Sequence, residues 1–87
     1  ERWGLVNRVV AGDDLDGEVD KLAARLAAGP ARAYANTKAL LNQSLNNSLS
    51  AQLDAETQGF AECATTDDFA EGVGALVSKR KPEFKGS

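Results

Sequence analysis

The chain has 87 residues, a formal charge of −3 and a pI near 4.8, so a general affinity for nucleic acid or for an anionic membrane is not expected. It has no His and a single cysteine, Cys63. That excludes imidazole chemistry, His-ligated metal and an intrachain disulfide within these residues, and it suits a reducing, cytoplasmic setting. Fifteen Ala, no Ile, no Met and five aromatics leave little to bury at roughly 25 cal/mol per Å² of apolar surface, so helices of this composition are expected to pack onto something larger.

The chain opens on Glu1-Arg2-Trp3 and runs into Leu5-Val6-Asn7-Arg8-Val9-Val10, a strand-like stretch. A strand without a partner leaves its backbone donors and acceptors unpaired, so this opening is expected to belong to a sheet or docking groove of a longer protein. Ala11-Gly12-Asp13-Asp14 supplies a turn, with Asp13 or Asp14 as the cap of a first helix whose apolar face is Leu15, Val19, Leu22 and Leu26. Gly29-Pro30 ends that helix, Gly as a left-handed cap and Pro as the opening of the next.

A second helix is expected from about Ala31 to Leu45, with Ala33, Thr37, Leu40, Leu41 and Leu45 along its apolar side. Asn46-Asn47 stops it, and Ser48 or Ser50 caps a third helix in which Leu49, Leu53, Thr57, Phe60 and Ala64 repeat at helical spacing. Gly59 lies inside that repeat at a cost of ~1 kcal/mol relative to Ala, for which close packing against a neighbour is the expected compensation. Thr65 to Asp68 breaks the pattern, and a fourth helix follows with Phe69, Val73, Leu76 and Val77 on its apolar side. With Asp68 as its cap, Glu71 completes an Asp-x-x-Glu capping box. Lys79-Arg80-Lys81 complements the negative helix end and Pro82 stops it. The expected fold is mainly α: a short strand-like stretch and about four helices, with no internal repeat.

The only candidate acid/base groups are Glu56, Glu62, Asp67, Asp68 and Glu71. Paired carboxylates can serve as general acid and base, but Glu56 and Glu62 are six residues apart and point to different helical faces. Helix solubility and capping account for them, and no catalytic residue is expected. Gly72-Val73-Gly74 sits in a helical pattern rather than after a strand, and lacks the other elements of a phosphate loop. Cys63 has no imidazole to activate it and reads as a small buried residue. Lys79, Arg80, Lys81 and Lys85 could meet the phosphates of a nucleotide-like ligand, although a helix C-terminus opposes anions and basic helix ends also occur for structural reasons.

Several phrases, in order, resemble the C-terminal region of the crotonase family of enoyl-CoA hydratases and isomerases. Trp3 to Val10 resembles the family's "GLVN-x-V" segment; Leu26-Ala27-Ala28-Gly29-Pro30 and Thr37-Lys38-Ala39-Leu40-Leu41 resemble the next two signposts. Asp67, Glu71-Gly72-Val73, Ala75, Lys79-Arg80 and Pro82-Glu83-Phe84 resemble its ending. The resemblance implies that residues 1–12 are the end of a spiral ββα core and linker, and 13–87 a helical oligomerisation segment that packs in trimers or hexamers. It places the oxyanion hole and the catalytic carboxylates upstream, so the parent is an enzyme and this segment alone is inactive. It implies no cofactor, acyl-CoA as substrate, and Lys79 as the lysine that reaches the nucleotide end of coenzyme A. Three residues earlier the family has an aromatic against the ligand; here the residue is Leu76, which keeps packing but not stacking. The opening and the KRKPEF ending lean toward the isomerase branch linked to phenylacetate breakdown. The reading of another class is a free-standing helical interaction module, for which a compact monomer or simple dimer is expected.

Overall fold

Four helices follow one short turn. The structure, a computed structural model, describes residues 1–87. A 3₁₀ turn at Gly12–Asp14 leads into α1 (Leu15–Ala27), then α2 (Ala31–Ser44), α3 (Leu49–Ala64) and α4 (Asp67–Val77), with an extended tail to Ser87. The mainly α reading holds. Leu5 to Val10 forms no strand, however; it passes through bends and leaves Leu5 and Val9 exposed. A β-ladder needs a second strand to pair its backbone groups, and this chain supplies none.

Local chemistry sets the helix ends, in places differently from the sequence reading. Neither Asp13 nor Asp14 caps α1 with its side chain, because Asp14 has a helical backbone (φ −94°, ψ −8°) where a side-chain cap needs an extended one. The 3₁₀ turn opens the helix instead, Asp14 N–H donating to the Ala11 carbonyl at 3.0 Å. Glu18, in the first turn, accepts from Lys21 at 2.8 Å and pairs with Arg8, and these two cations, Lys21 foremost, lower its pKa. Gly29 is not left-handed. Its lack of a side chain matters for another reason: a Cβ there would fall 2.1 Å from the Tyr34 hydroxyl. α3 takes the first of its two candidate caps, Ser48, whose hydroxyl accepts from Ala51 N–H at 3.2 Å.

α2 packs against α3, α3 more lightly against α4, and α1 makes no substantial contact with any of them. The α2–α3 contact is made through small residues. Ala55, Gly59 and Cys63 are half-buried toward α2, whose Asn36 donates to the Gly59 carbonyl at 3.1 Å and to Cys63 Sγ at 3.3 Å. The apolar repeat of α3 is left outside: Leu49, Leu53 and Phe60 are all more than half exposed, and Phe60 meets Phe69 in a T-shaped pair with ring centroids 5.9 Å apart. Leu41 of α2 and Leu45, its C-cap, are exposed as well. Periodicity located the apolar residues correctly, but close approach of the two backbones selected the face with Gly and Ala.

The consequence is a flat, open arrangement. Ala75 and Asp68, 1% and 4% exposed, are the only buried residues. The radius of gyration is 16.4 Å, against roughly 12 Å for a compact domain of this length. No helix is long and apolar enough to cross a membrane.

The neighbour of Gly59 is Leu40, whose Cδ1 would lie 3.5 Å from an added Cβ, an ordinary contact. Gly59→Ala is therefore expected to stabilise the helical state by up to about 1 kcal/mol through helix propensity. Gly59→Leu is expected to destabilise it by wedging α2 from Asn36. Urea unfolding followed by helical circular dichroism checks both.

Candidate functional site, the C-terminal turn of α4

α4 is organised around two carboxylates that hold the tail. Its cap is Thr66, whose hydroxyl accepts from Phe69 N–H at 3.1 Å, so the capping box expected from Asp68 and Glu71 does not form. Asp68 lies one position inside the helix and turns to the tail, accepting Lys85 N–H at 2.7 Å and Gly86 N–H at 2.8 Å. Gly86 has φ +80°, which glycine adopts without penalty and which brings its N–H to the carboxylate. In return, Asp68 N–H, a first-turn donor without a helical acceptor, donates to the Ser87 carbonyl at 3.0 Å.

Glu71 is one turn further along. Arg80 returns across nine residues to meet it with Nη1 and Nη2 of its guanidinium, at 2.6 and 2.7 Å, and Glu83 N–H donates to it at 2.8 Å. The Arg80 hydrogen bonds first, then the Glu83 amide, lower the Glu71 carboxyl to about 2. A carboxyl held so low is a fixed anion in the neutral range. Phe84 follows and lies against Gly72, within 3.4 Å of where a Cβ would stand.

Between these anchors the chain makes a left-handed turn. Ser78 is the C-cap, Lys79 has φ +52°, Lys79 N–H donates to the Leu76 carbonyl at 3.2 Å and Arg80 N–H to the Ala75 carbonyl at 3.0 Å. This pair of bonds, from the first and second residues past the cap, is the Schellman ending, whose left-handed position glycine normally fills. Here Lys79 fills it, the one non-glycine residue of the chain with positive φ. Its side chain is exposed and forms no ion pair. Leu76, the other residue singled out from sequence, is 78% exposed and lines an open cleft of about 260 Å³ with Phe69, Val73, Phe84, Cys63 and Pro30. Lys79 is not part of that cleft's wall.

The sequence singled out Lys79 and Leu76 but missed what fixes them. Glu71 read as half of a capping box and Arg80 as a structural cation without a named partner. The pairing of Glu71 with Arg80 and of Asp68 with residues 85 and 86 spans 9 to 18 positions and follows no local period. The only signal in the sequence was the placement of a basic run directly after a helix carrying acidic residues.

Comparison with known proteins agrees with this architecture. The family model described as enoyl-CoA hydratase/isomerase matches residues 1–87, and the chain belongs to that family. It is 35% identical over 83 residues to a crotonyl-CoA hydratase of Syntrophomonas wolfei, covering 95% of this chain and 32% of the relative. It is 33% identical over 84 residues to the 1,2-epoxyphenylacetyl-CoA isomerase of Escherichia coli, covering 97% and 32%. Among solved structures, an enoyl-CoA hydratase subunit of Geobacillus kaustophilus superposes with a TM-score of 0.93 at 34% identity, over 100% of this chain and 34% of that one. The chain thus spans about a third of the length of the relatives it matches. A hydratase and an isomerase match at similar identity, so the lean toward the isomerase branch gains no support.

Two outcomes follow from the geometry. Lys79→Gly, which frees a left-handed position, is expected to stabilise the fold by about 1 kcal/mol in denaturant unfolding. Glu71 has a folded pKa of about 2 against an ordinary 4.5. The stabilisation it provides is therefore complete above pH 4.5 and is lost as pH falls toward 2. Hydrogen exchange at the Glu83 amide is expected to lose protection across that window. In Glu71→Gln that pH-dependent step is expected to be absent.

Proposed function

We propose that this chain is the C-terminal segment of an enoyl-CoA hydratase or isomerase acting on acyl-CoA thioesters. In this reading residues 1–12 are the end of the catalytic core and a linker, and 13–87 supply oligomer packing and a coenzyme A contact. The catalytic groups lie outside the segment, which is inactive alone. The observation that carries the reading is the end-to-end match to a third of the hydratases' length in a chain that buries only two residues of its own.

Two physical features support the assigned roles. The apolar side chains of α1, Val19, Leu22 and Leu26, face no other helix of the chain, and large exposed apolar surfaces mark contact with another protein body. These faces fit packing on the core and between subunits in a trimer or hexamer. Lys79 presents an unpaired ammonium from a backbone conformation that disfavours lysine. Strain of this kind concentrates at ligand sites. Its chemistry suits a phosphate of coenzyme A, with Leu76 offering an apolar contact beside it and no cofactor required.

In the full-length enzyme, Lys79→Ala is expected to weaken coenzyme A binding about tenfold at low salt and much less at high salt, measured by calorimetry. An unchanged Kd at low salt rules out the contact. Acyl-CoA turnover by the full-length chain, absent from residues 1–87 alone, tests the enzymatic reading. The alternative, a free-standing interaction module, calls for a compact monomer or simple dimer of the 87 residues. The detached α1 and the 16.4 Å radius of gyration argue against such a body.

A further inference from the structure

We propose that Glu71 is a positioning residue for the Lys79 phosphate contact: by gripping Arg80 and the Glu83 amide it holds the left-handed turn that presents the Lys79 ammonium. The inference rests on the coenzyme A reading above and adds to it a residue that touches no ligand.

The turn at Lys79 has little to hold it locally. A lysine prefers the right-handed or extended regions, and the left-handed one is disfavoured by the contact of Cβ with the carbonyl that follows. Two backbone bonds close the turn, from Lys79 to Leu76 at 3.2 Å and from Arg80 to Ala75 at 3.0 Å. Both are at a helix end, where fraying competes. What keeps Arg80 in place is its side chain. It runs back past Gly74, where an added Cβ would stand 4.0 Å from Nη2, to the two oxygens of Glu71.

The same carboxylate takes the Glu83 amide at 2.8 Å, so the chain is fastened both immediately after Lys79 and four residues after it, with the rigid Pro82 between. Arg80 also donates to the Lys81 carbonyl at 3.2 Å, which closes the loop on itself. One carboxylate on α4 therefore fixes the whole 79–83 segment. Lys79 is the residue in it whose backbone is unusual and whose charge is free. Lys81 and Lys85 have free charges too, but neither sits in a left-handed position.

Without Glu71 the left-handed conformer loses population, and the apparent Kd rises by the inverse of the remaining competent fraction. Neutralising Glu71 leaves every ligand-touching side chain chemically intact and changes only how often Lys79 is presented, so the loss appears in KM for acyl-CoA rather than in kcat.

The test is a double-mutant cycle in the full-length enzyme, with calorimetric Kd for coenzyme A as the readout. Glu71→Gln is expected to weaken binding about five- to tenfold. In a Lys79→Ala background it is expected to change nothing further, because its effect passes through Lys79. Arg80→Lys, which keeps the charge but loses the two-pronged grip, is the second variant should Glu71→Gln fold poorly. Its loss is also expected to vanish without Lys79. Equal losses in both backgrounds, or no loss when Lys79 is present, overturn the positioning role. If Lys79→Ala itself leaves Kd unchanged, the coenzyme A contact falls and this inference falls with it. An effect of Lys79→Ala with none from Glu71→Gln or Arg80→Lys removes this inference alone.

Discussion

The organisation of the C-terminal half depends on a contact between the first two turns of α4 and the tail that follows it. Asp68 is the only charged residue the chain buries, and a buried carboxylate without partners is costly by several kcal/mol. The tail removes that cost by supplying two backbone N–H groups at 2.7 and 2.8 Å, distances typical of bonds to an ionised acceptor. The exchange runs both ways, since the tail carbonyl of Ser87 satisfies the N–H of Asp68. A segment without helix or strand thus becomes a fixed part of the structure, and Phe84 is set against α4 where it forms a wall of the cleft.

The second carboxylate works at the surface rather than in the interior, which changes its physics. Exposed ion pairs contribute little on average, because two long side chains lose freedom and solvent screens the attraction. Glu71 and Arg80 depart from that average in geometry: the guanidinium is engaged at both terminal nitrogens and a backbone amide shares the carboxylate. A planar fork loses less freedom per hydrogen bond than a lysine would in the same place. The pair's importance lies in conformation more than in energy, since it joins the end of α4 to residues 80 and 83 across a turn that carries a left-handed lysine.

The sequence marked the helices well because their signals are local. α2 was expected at 31–45 and runs Ala31–Ser44; α3 took Ser48 as its cap; Gly29-Pro30 separated α1 from α2. Lys79 and Leu76 were singled out by resemblance to a family motif, and the comparisons establish that family. Other features were hidden for physical reasons. Periodicity gives the angle between apolar residues but not which angle meets a partner, so the repeat at Leu49, Leu53 and Phe60 marked α3 while Ala55, Gly59 and Cys63 made the contact. The Val-rich stretch Leu5–Val10 had strand composition, but a strand is a property of a pair. The left-handed backbone at Lys79 was invisible because the residue there is not the glycine that normally signals it.

The least supported element is α1, and its state says most about how the segment holds together. An isolated helix of 13 residues is marginal in water, because nucleation is unfavourable and few hydrogen bonds repay it. α1 has one extra local support, the pairing of Glu18 with Lys21 and Arg8, and such exposed pairs are weak. Its apolar face, Leu15, Val19, Leu22 and Leu26, meets no other helix. Local forces therefore add little to α1, and its four aliphatic side chains stay about half exposed, short of the roughly 1.5–3 kcal/mol that full cover of each would contribute. The tail of α4 is fixed from within the chain. α1 has no such anchor among the other helices, and the two ends of the segment thus differ in what their order depends on.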